Sequence, residues 1–307
     1  MIIMLLLAIP MVTRAQYDVV FSHYADMQSS FNPAAIGKDP KLNINAAYAL
    51  QMAGYTHNPN TAYISADMPI NGLGGKNGLG AVFLNDKIGL FSHQRIAGQY
   101  AYHHKLGKKG SIGVGVQAGL LSETFRGSDV DIEDTSDPVF SSTELEGQAL
   151  DVAAGLYVKF PSWYVGVSAQ HLTYPVVELG DYNEIAIDGT FYVTGGYEMQ
   201  LPNPTLKLST AALVRSDLVT YRGDISARMI YTHEEKMMYL GLGYSPTNSV
   251  TLYVGGNVKG FILGYSYEAY TNGVGIANGS HELRIGFQTD INLGKKGRNY
   301  HQSVRYL

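Results

Sequence analysis

The sequence feature that most constrains the fold is a strict period-two alternation of side chains between residues 95 and 121. In its first half, Ile96, Gly98, Tyr100 and Tyr102 alternate with Arg95, Ala97, Gln99, Ala101 and His103. In its second half, Ile112, Val114, Val116, Ala118 and Leu120 alternate with Gly113, Gly115, Gln117, Gly119 and Leu121. Because successive side chains of a strand point to opposite faces, the pattern predicts two strands with one apolar face. The short, glycine-containing connector at 105–110 predicts a tight hairpin between them.

The same unit recurs almost to the end of the chain, with no helical-period segment between repeats. The pattern predicts fourteen strands, an even number within the range of single-chain bacterial barrels, and most have about the 9–11 residues that a tilted membrane strand needs. The predicted spans are 42–51, 60–70, 78–85, 93–105, 110–123, 148–160, 162–172, 188–201, 204–215, 221–231, 236–245, 248–257, 259–270 and 280–292.

Connection lengths favour a transmembrane barrel over a soluble β-sandwich, which periodicity alone leaves open. Short turns on one side and long loops on the other are typical of outer-membrane barrels, with the short turns in the periplasm. The short set is 71–77, 106–110, 161, 202–203, 232–235 and 258, and the longer set is 52–59, 86–92, 124–147, 173–187 and 271–279. Two connections of the second set, 216–220 and 246–247, are short and weaken the pattern. An even strand count predicts that both termini lie at the periplasmic end.

Composition agrees with a membrane barrel and limits the partners. Charged residues make up 16% of the chain, below the roughly 25% usual in soluble domains. The net charge of −4 and the absence of a basic block argue against nucleic acid, and without cysteine no disulfide or thiolate metal site is possible. The apolar run Met1–Val12 is too short to span a bilayer and precedes Thr13-Arg14-Ala15, so we expect a signal peptide over 1–15, although no Lys or Arg precedes the run.

Residues 16–41 do not alternate and are predicted to form an arm before a barrel of residues 42–293. The arm contains Phe21, Tyr24 and Phe31 and the turn that begins at Asn32-Pro33. Disordered leaders are poor in aromatic residues, so we expect these five residues to plug the barrel or to pack beneath its mouth. Residues 294–307 form a basic extension that we expect in the periplasm.

No motif in the sequence selects an active site. The alternating carboxylates Asp129, Asp131, Glu133, Asp134 and Asp137 could bind a hard cation such as calcium, but the central glycine and distal glutamate of a calcium loop are missing. We interpret them as a solvated acidic loop. His103 and His104 are adjacent on a strand and point to opposite faces, so they cannot chelate one ion. We expect no enzymatic activity and no cofactor.

Several short motifs resemble the PorP/SprF family of outer-membrane proteins from the Bacteroidetes. They run in order along nearly the whole predicted mature chain, and the basic extension from Gly294 departs from the family pattern. The motifs are Phe21-Ser22-His23-Tyr24, Phe31-Asn32-Pro33-Ala34, Gly78-Leu79-Gly80, Asn85-Asp86-Lys87-Ile88-Gly89, Gln99-Tyr100-Ala101-Tyr102, Asp137-Pro138-Val139-Phe140, Gly155-Leu156-Tyr157, Trp163-Tyr164-Val165-Gly166-Val167-Ser168 and Gly279-Ser280-His281-Glu282-Leu283.

The resemblance implies a barrel related to long-chain fatty-acid transporters that serves the type IX secretion system and, in gliding bacteria, surface adhesins. It implies secreted proteins or adhesins and a periplasmic or outer-membrane lipoprotein as partners, besides outer-membrane lipid. The runner-up hypothesis is a passive or hydrophobic-solute channel. For the outer rim we predict partner contacts at Asp129, Asp131, Glu133, Asp134, Asp137, Glu178, Asp181, Tyr182 and Glu184. For the periplasmic side we predict contacts at Lys108, Lys109, Lys295, Lys296 and Arg298.

Overall fold

The computed structural model describes residues 18–19, 21–72, 75–127, 144–180, 183–273 and 278–291. Within them, the chain forms sixteen strands and two single-turn 3₁₀ helices, Gln28–Ser30 and Pro33–Ala35. The strands are β1 Lys41–Leu50, β2 Asn60–Gly72, β3 Gly75–Ile88, β4 Phe91–Leu106, β5 Gly110–Arg126, β6 Glu144–Lys159, β7 Trp163–Gln170, β8 Val176–Leu179, β9 Asn183–Ala186, β10 Thr190–Gln200, β11 Leu206–Ser216, β12 Tyr221–His233, β13 Lys236–Ser245, β14 Ser249–Val258, β15 Phe261–Tyr270 and β16 Ser280–Asp290.

Fourteen of these strands form a closed antiparallel barrel, as the alternation predicted. Each barrel strand pairs with the next one along the chain, and β1 pairs with β16 from Lys41↔Asp290 to Leu50↔His281 to close the sheet. The remaining two, β8 and β9, form a separate hairpin. Each of the fourteen predicted spans overlaps one barrel strand, because alternation is a local property of each segment.

The two faces of the barrel have the opposite polarity to a soluble protein. On the outer face, Ile96 is 63% exposed and Val116 is 50% exposed. On the inner face, Arg95 is 4% exposed and Gln117 is 1% exposed. A soluble sandwich would bury its apolar face, so this arrangement excludes the sandwich and requires an apolar medium around the barrel.

One row of outward-facing residues marks the outer edge of the apolar band. Phe83, Ile96, Leu120 and Leu150 are paired in register across β3 to β6. The next outward row on the same strands is Asn85, Gln94, Ser122 and Gln148, also in register. The change from four apolar to four polar side chains in one step indicates that these strands leave the hydrocarbon between the two rows.

Three of the predicted connections are wrong in their extent. The turn expected at 71–77 is much shorter, because β2 continues to Gly72 and β3 begins at Gly75, with Asn71 paired with Lys76. The loop expected at 86–92 is reduced to Gly89-Leu90, because Asp86 pairs with His93 and Ile88 pairs with Phe91. The loop expected at 124–147 is shorter, since β5 continues to Arg126 and β6 begins at Glu144. All three errors have one cause: strands that continue outside the membrane keep their hydrogen bonds but acquire polar side chains or glycines, which look like loop residues in the sequence.

The connection expected as a plain loop at 173–187 contains the hairpin of β8 and β9. Val177, Leu179 and Ile187 pack on Leu121 and on half-buried Phe125, Leu145, Ala149 and Ile185. Leu121, Phe125, Leu145 and Ala149 lie on the inner faces of β5 and β6, so the hairpin folds into the barrel mouth. With only four residues a strand, it was too short to detect as an alternating pattern.

The barrel has two distinct ends, which we name by their connections. The long-loop end holds 51–59, 127–143, 171–189 and 271–279, and the short-turn end holds 107–109, 160–162, 201–205, 234–235 and 259–260. No helix in the described part of the chain is long and apolar enough to cross a membrane.

Candidate functional site

The arm passes through the lumen from one end of the barrel to the other. Asp18 lies beside His171, directly after β7 at the long-loop end, and Asp39 lies beside Lys159, the last residue of β6 at the short-turn end. The start of β1 and the end of β16 share the short-turn end. The chain termini lie outside the described residues, but the arm carries residue 18 to the opposite end. The sequence could not show this, because strand parity says nothing about a segment that threads the barrel.

At the long-loop end the arm is held by a buried polar cluster around Asp18. The Asp18 carboxylate lies 3.0 Å from His171 Nε2 and accepts a hydrogen bond from the Tyr192 hydroxyl at 2.6 Å, while Arg215 donates to the Asp18 carbonyl oxygen at 3.0 Å. Asp151 faces the other ring nitrogen of His171 at 3.1 Å. Burial lowers the pKa of His171, but Asp18 and Asp151 raise it by more, to about 9. The imidazolium and its two carboxylates therefore form one charged cluster at neutral pH.

Near mid-lumen two further charged contacts fix the arm to the opposite wall. Glu282 on β16 lies 2.6 Å from His23 Nδ1 and accepts from the backbone N–H of Ser22 and His23 at 2.5 and 3.0 Å. Asp26 accepts from Arg228 on β12 at 2.5 and 3.1 Å, and its carboxylate lies 3.2 Å from Arg284 on β16. A buried charge is stable only when it is paired and hydrogen-bonded, so these contacts oppose withdrawal of the arm.

The aromatic residues predicted to form a plug are buried between these charged contacts. Phe21 packs on Tyr63 with ring centroids 5.3 Å apart, and Phe31 stacks on Tyr192 at 5.4 Å. The hydroxyl of Tyr24 donates to the carbonyl of residue 211 at 2.9 Å. All three plug aromatics are at most 3% exposed. They occupy the lumen and contact both sides of the wall.

Near the short-turn end, the backbone of the arm rests directly on the glycine face of the wall. The Asn32 side chain donates to the Leu156 carbonyl at 3.1 Å and accepts from the backbone N–H of Ala34 at 2.9 Å, which starts the 3₁₀ turn at Pro33. A Cβ on Gly115 would lie 2.3 Å from the Ala34 nitrogen. A Cβ on Gly155 would meet the Asn32 side chain. Side chains at these positions would exclude the arm.

A small polar cavity of about 150 Å³ remains above the arm at the long-loop end. Arg222 donates to Glu268 at 2.9 Å and to Asp224 at 3.2 Å, and Ser249 donates to the same Glu268 carboxylate. These wall groups satisfy one another, so the cavity offers no unpaired charge to a ligand. No cluster of three or more His, Asp or Glu side chains with metal-binding geometry occurs among the described residues.

Comparison with protein families identifies the chain. A family model described as type IX secretion system membrane protein PorP/SprF matches residues 13–287. The chain belongs to this family. No curated protein matches it. Among solved structures it is similar to a Pseudomonas aeruginosa FadL homologue, with a TM-score of 0.52, 11% identity, and 85% of this chain and 93% of that chain covered. It is also similar to the Pseudomonas putida toluene transporter TodX, with a TM-score of 0.49, 8% identity, and 88% and 93% covered.

The first of these likenesses shows the fold alone, that of an outer-membrane barrel. The PorP/SprF match and the barrel together make the chain an outer-membrane component of the type IX secretion system. The family resemblance recognised in the sequence is therefore confirmed, as is the fatty-acid-transporter-like barrel.

The predicted outer rim of this PorP/SprF barrel is only partly described. Glu178 on β8 and Glu184 on β9 are exposed and lie directly opposite each other in the hairpin. Their side chains point away from the face that packs on the barrel wall. The other rim candidates, Asp129, Asp131, Glu133, Asp134, Asp137, Asp181 and Tyr182, lie outside the described residues.

The predicted periplasmic contacts divide in the same way. Lys108 and Lys109 are exposed in the turn between β4 and β5 at the short-turn end. Lys295, Lys296 and Arg298, together with the predicted signal peptide and the rest of the basic tail, lie outside the described residues. Their roles remain predictions.

Sequence reasoning missed the charged residues that hold the arm. The sequence pattern indicates the aromatic residues of the arm, but it does not single out Asp18, His23 and Asp26. Nor does it single out their partners Glu282 and Arg228 on the polar inner face. The available clue was the chemistry of that face. Arg95, Arg228, Glu282 and Arg284 are too strongly charged for an unpaired wall inside a narrow barrel, so they required partners from another segment.

Proposed function

We propose that this protein is a non-enzymatic adaptor of type IX secretion. It binds secreted proteins or surface adhesins at its long-loop end and a lipoprotein of the machinery at its short-turn end. The observation that carries the proposal is the occluded lumen: the arm crosses the barrel and forms charged contacts to His171, directly after β7, and to β12 and β16. A channel needs an open path, whereas an adaptor needs a rigid body with two presenting ends.

The two ends differ in charge, as an adaptor between two partners requires. Near the long-loop end, Glu178 and Glu184 are exposed on the hairpin, and residues 128–143 contribute five carboxylates without Lys or Arg. At the short-turn end, Lys108 and Lys109 are exposed, and the sequence ends in a basic tail. Charges at a rim mainly steer encounter and select partners, so opposite signs suit different partners.

Crosslinking and pull-down from native outer membranes test the adaptor directly. Replacing residues 127–143 by a short Gly-Ser turn should reduce capture of secreted proteins and leave the lipoprotein contact intact. Ending the chain after Gly294 should do the reverse. Heat-modifiable migration in gels would verify that each variant still assembles as a barrel. Equal loss of both partner classes in each variant, or loss of neither, would contradict the two-sided adaptor.

Planar-bilayer conductance tests the channel alternative. The intact protein should conduct poorly, and a variant lacking residues 18–37 should conduct well while its barrel stays folded. The matched control is a variant with Gly-Ser in place of residues 127–143, which leaves the arm in position and should conduct like the intact protein. High conductance of the intact protein would favour a channel over an adaptor.

A further inference from the structure

The wall of the barrel has a step at its long-loop end, where β6 rises beyond its neighbour. The β6–β7 ladder extends only from Lys159↔Tyr164 to Ala154↔Ala169. On its other side, β6 remains paired with β5 as far as Arg126↔Glu144. The ten residues from Glu144 to Ala153 thus pair on one side only among the described strands, and ten residues of strand span roughly 33 Å.

The upper half of this free edge lies outside the membrane. The outward-facing residues of β6 change from Leu150 to Gln148, Glu146 and Glu144, which lie at and beyond the polar row that marks the end of the hydrocarbon. Lipid therefore does not cover the upper part of the edge. An exposed edge presents a row of backbone N–H and C=O groups, and such a row is a template for another strand.

The directions of the edge hydrogen bonds follow from strand parity. The chain that leaves β7 uses the first two carbonyls of the edge: the backbone N–H of Leu172 donates to Val152 at 2.9 Å, and the Thr173 hydroxyl donates to Leu150 at 2.9 Å. Since alternate residues of a strand point their backbone groups to the same side, Gln148, Glu146 and Glu144 present theirs to this edge as well.

The side chains around the edge define the chemistry of a complementary strand. Glu146 lies on the outer face, and Glu178 and Glu184 lie on the hairpin, whose backbone packs against Gly147. Arg126 faces Glu144 in register, so the excess negative charge comes from the other three glutamates. Beside the base of the edge, three apolar side chains are 41–54% exposed, namely Leu172, Tyr174 and Val176.

We infer that the edge of β6 binds an extended segment of a secreted protein by strand addition, the segment alternating Lys or Arg with apolar residues. The inference rests on the proposed adaptor function and gives it a mode of binding. The other available occupant is residues 128–143 of the same chain. These contain five carboxylates and no basic residue, so they would add like charge to a cluster that is already acidic.

A designed peptide tests strand addition without a natural partner. The probe is a ten-residue peptide that alternates Lys and Val, and its binding to the full chain in detergent is measured by fluorescence anisotropy. Two further peptides carry N-methyl groups on odd or on even residues. In a strand pair, only the N–H groups of alternate residues point toward the partner strand. One methylated peptide should therefore bind at least roughly tenfold more weakly than the unmethylated peptide, and the other should bind nearly as well as it does. Equal binding of both methylated peptides would show attraction by charge alone and overturn the inference.

Variants of the edge complete the test. Gln148→Pro removes one edge N–H and should weaken binding of the Lys-Val peptide. Gln148→Ala keeps that N–H and should leave binding unchanged.

Hydrogen exchange gives a second measurement of the same edge. The Glu146 and Gln148 amides should exchange fast in the free protein and slowly when the peptide is bound. Slow exchange in the free protein would mean that the chain covers its own edge, which also overturns the inference. The Gln148→Pro variant can also be tested for capture of secreted proteins from native membranes. Capture equal to that of the unaltered chain would contradict strand addition but leave the proposed adaptor function intact.

Discussion

The Nδ1 atom of His23 lies 2.6 Å from Oε1 of Glu282, although 259 residues separate the two along the chain. The contact joins the arm to β16, the last strand of the barrel. Two backbone N–H groups of the arm donate to the same carboxylate. The arm can therefore complete its contacts on this side only after the last strand is in place, so plug docking and barrel closure are coupled.

Removing the Glu282 carboxylate should loosen the arm. Glu282→Ala leaves His23 and two backbone N–H groups without their acceptor, a cost of about 2–5 kcal/mol for a buried charged contact. Hydrogen exchange of residues 21–31 should become faster in the folded barrel. The matched control is Glu198→Ala, which breaks an exposed pair with Lys207 and should leave exchange in the arm unchanged. Unchanged exchange in Glu282→Ala would show that this contact does not hold the arm.

A single methyl group on the inner wall should displace the arm. Gly115→Ala would place its Cβ 2.3 Å from the backbone nitrogen of Ala34, and overpacking of this kind costs about 1–3 kcal/mol. We expect increased proteolysis near residues 32–37 and higher conductance. Gly98→Ala is the control, because a Cβ there meets no atom within 4 Å. The same increase in both variants would point to a weakened barrel wall rather than to the arm.

A charge on the outer face should be costly only within the apolar band. Val116→Arg should reduce the free energy of unfolding by about 2–4 kcal/mol if it lies near the bilayer midplane. Ser122→Arg lies on the same face of β5, in the polar row, and should cost about 0–1 kcal/mol. Denaturant titration of protein folded in lipid vesicles measures both. Equal costs would place the membrane boundary elsewhere.

The upper attachment of the arm should weaken as pH rises. The pKa of His171 is raised to about 9 in the folded protein against its ordinary 6.5. The contribution of the imidazolium to stability is thus fully present below pH 6.5 and is lost as pH rises toward and through 9. Hydrogen exchange at residues 18–24, corrected for intrinsic rates, should increase over this interval. In His171→Gln the increase should disappear, and its persistence there would assign the effect to another group.

The sequence alone determined where the strands lie and which residues share a face. Arg95 and Ile96 had to face opposite sides of a sheet wherever that sheet was, because side-chain alternation is set by local backbone geometry. Family membership was also readable from short motifs such as Phe31-Asn32-Pro33-Ala34. Strand ends were less well determined, since β5 and β6 stay paired beyond the membrane with polar side chains that resemble a loop.

Only the tertiary structure decided which face meets lipid and what fills the lumen. Period two is the same in a sandwich and a barrel, and only closure through β1 and β16 put Ile96 outside and Arg95 inside. The partners of Asp18, His23 and Asp26 lie on strands far away in sequence, so no local pattern could name them. The free edge of β6 likewise depends on where its neighbour β7 ends. Contacts between distant segments follow from how the chain closes on itself, and local alternation does not contain that information.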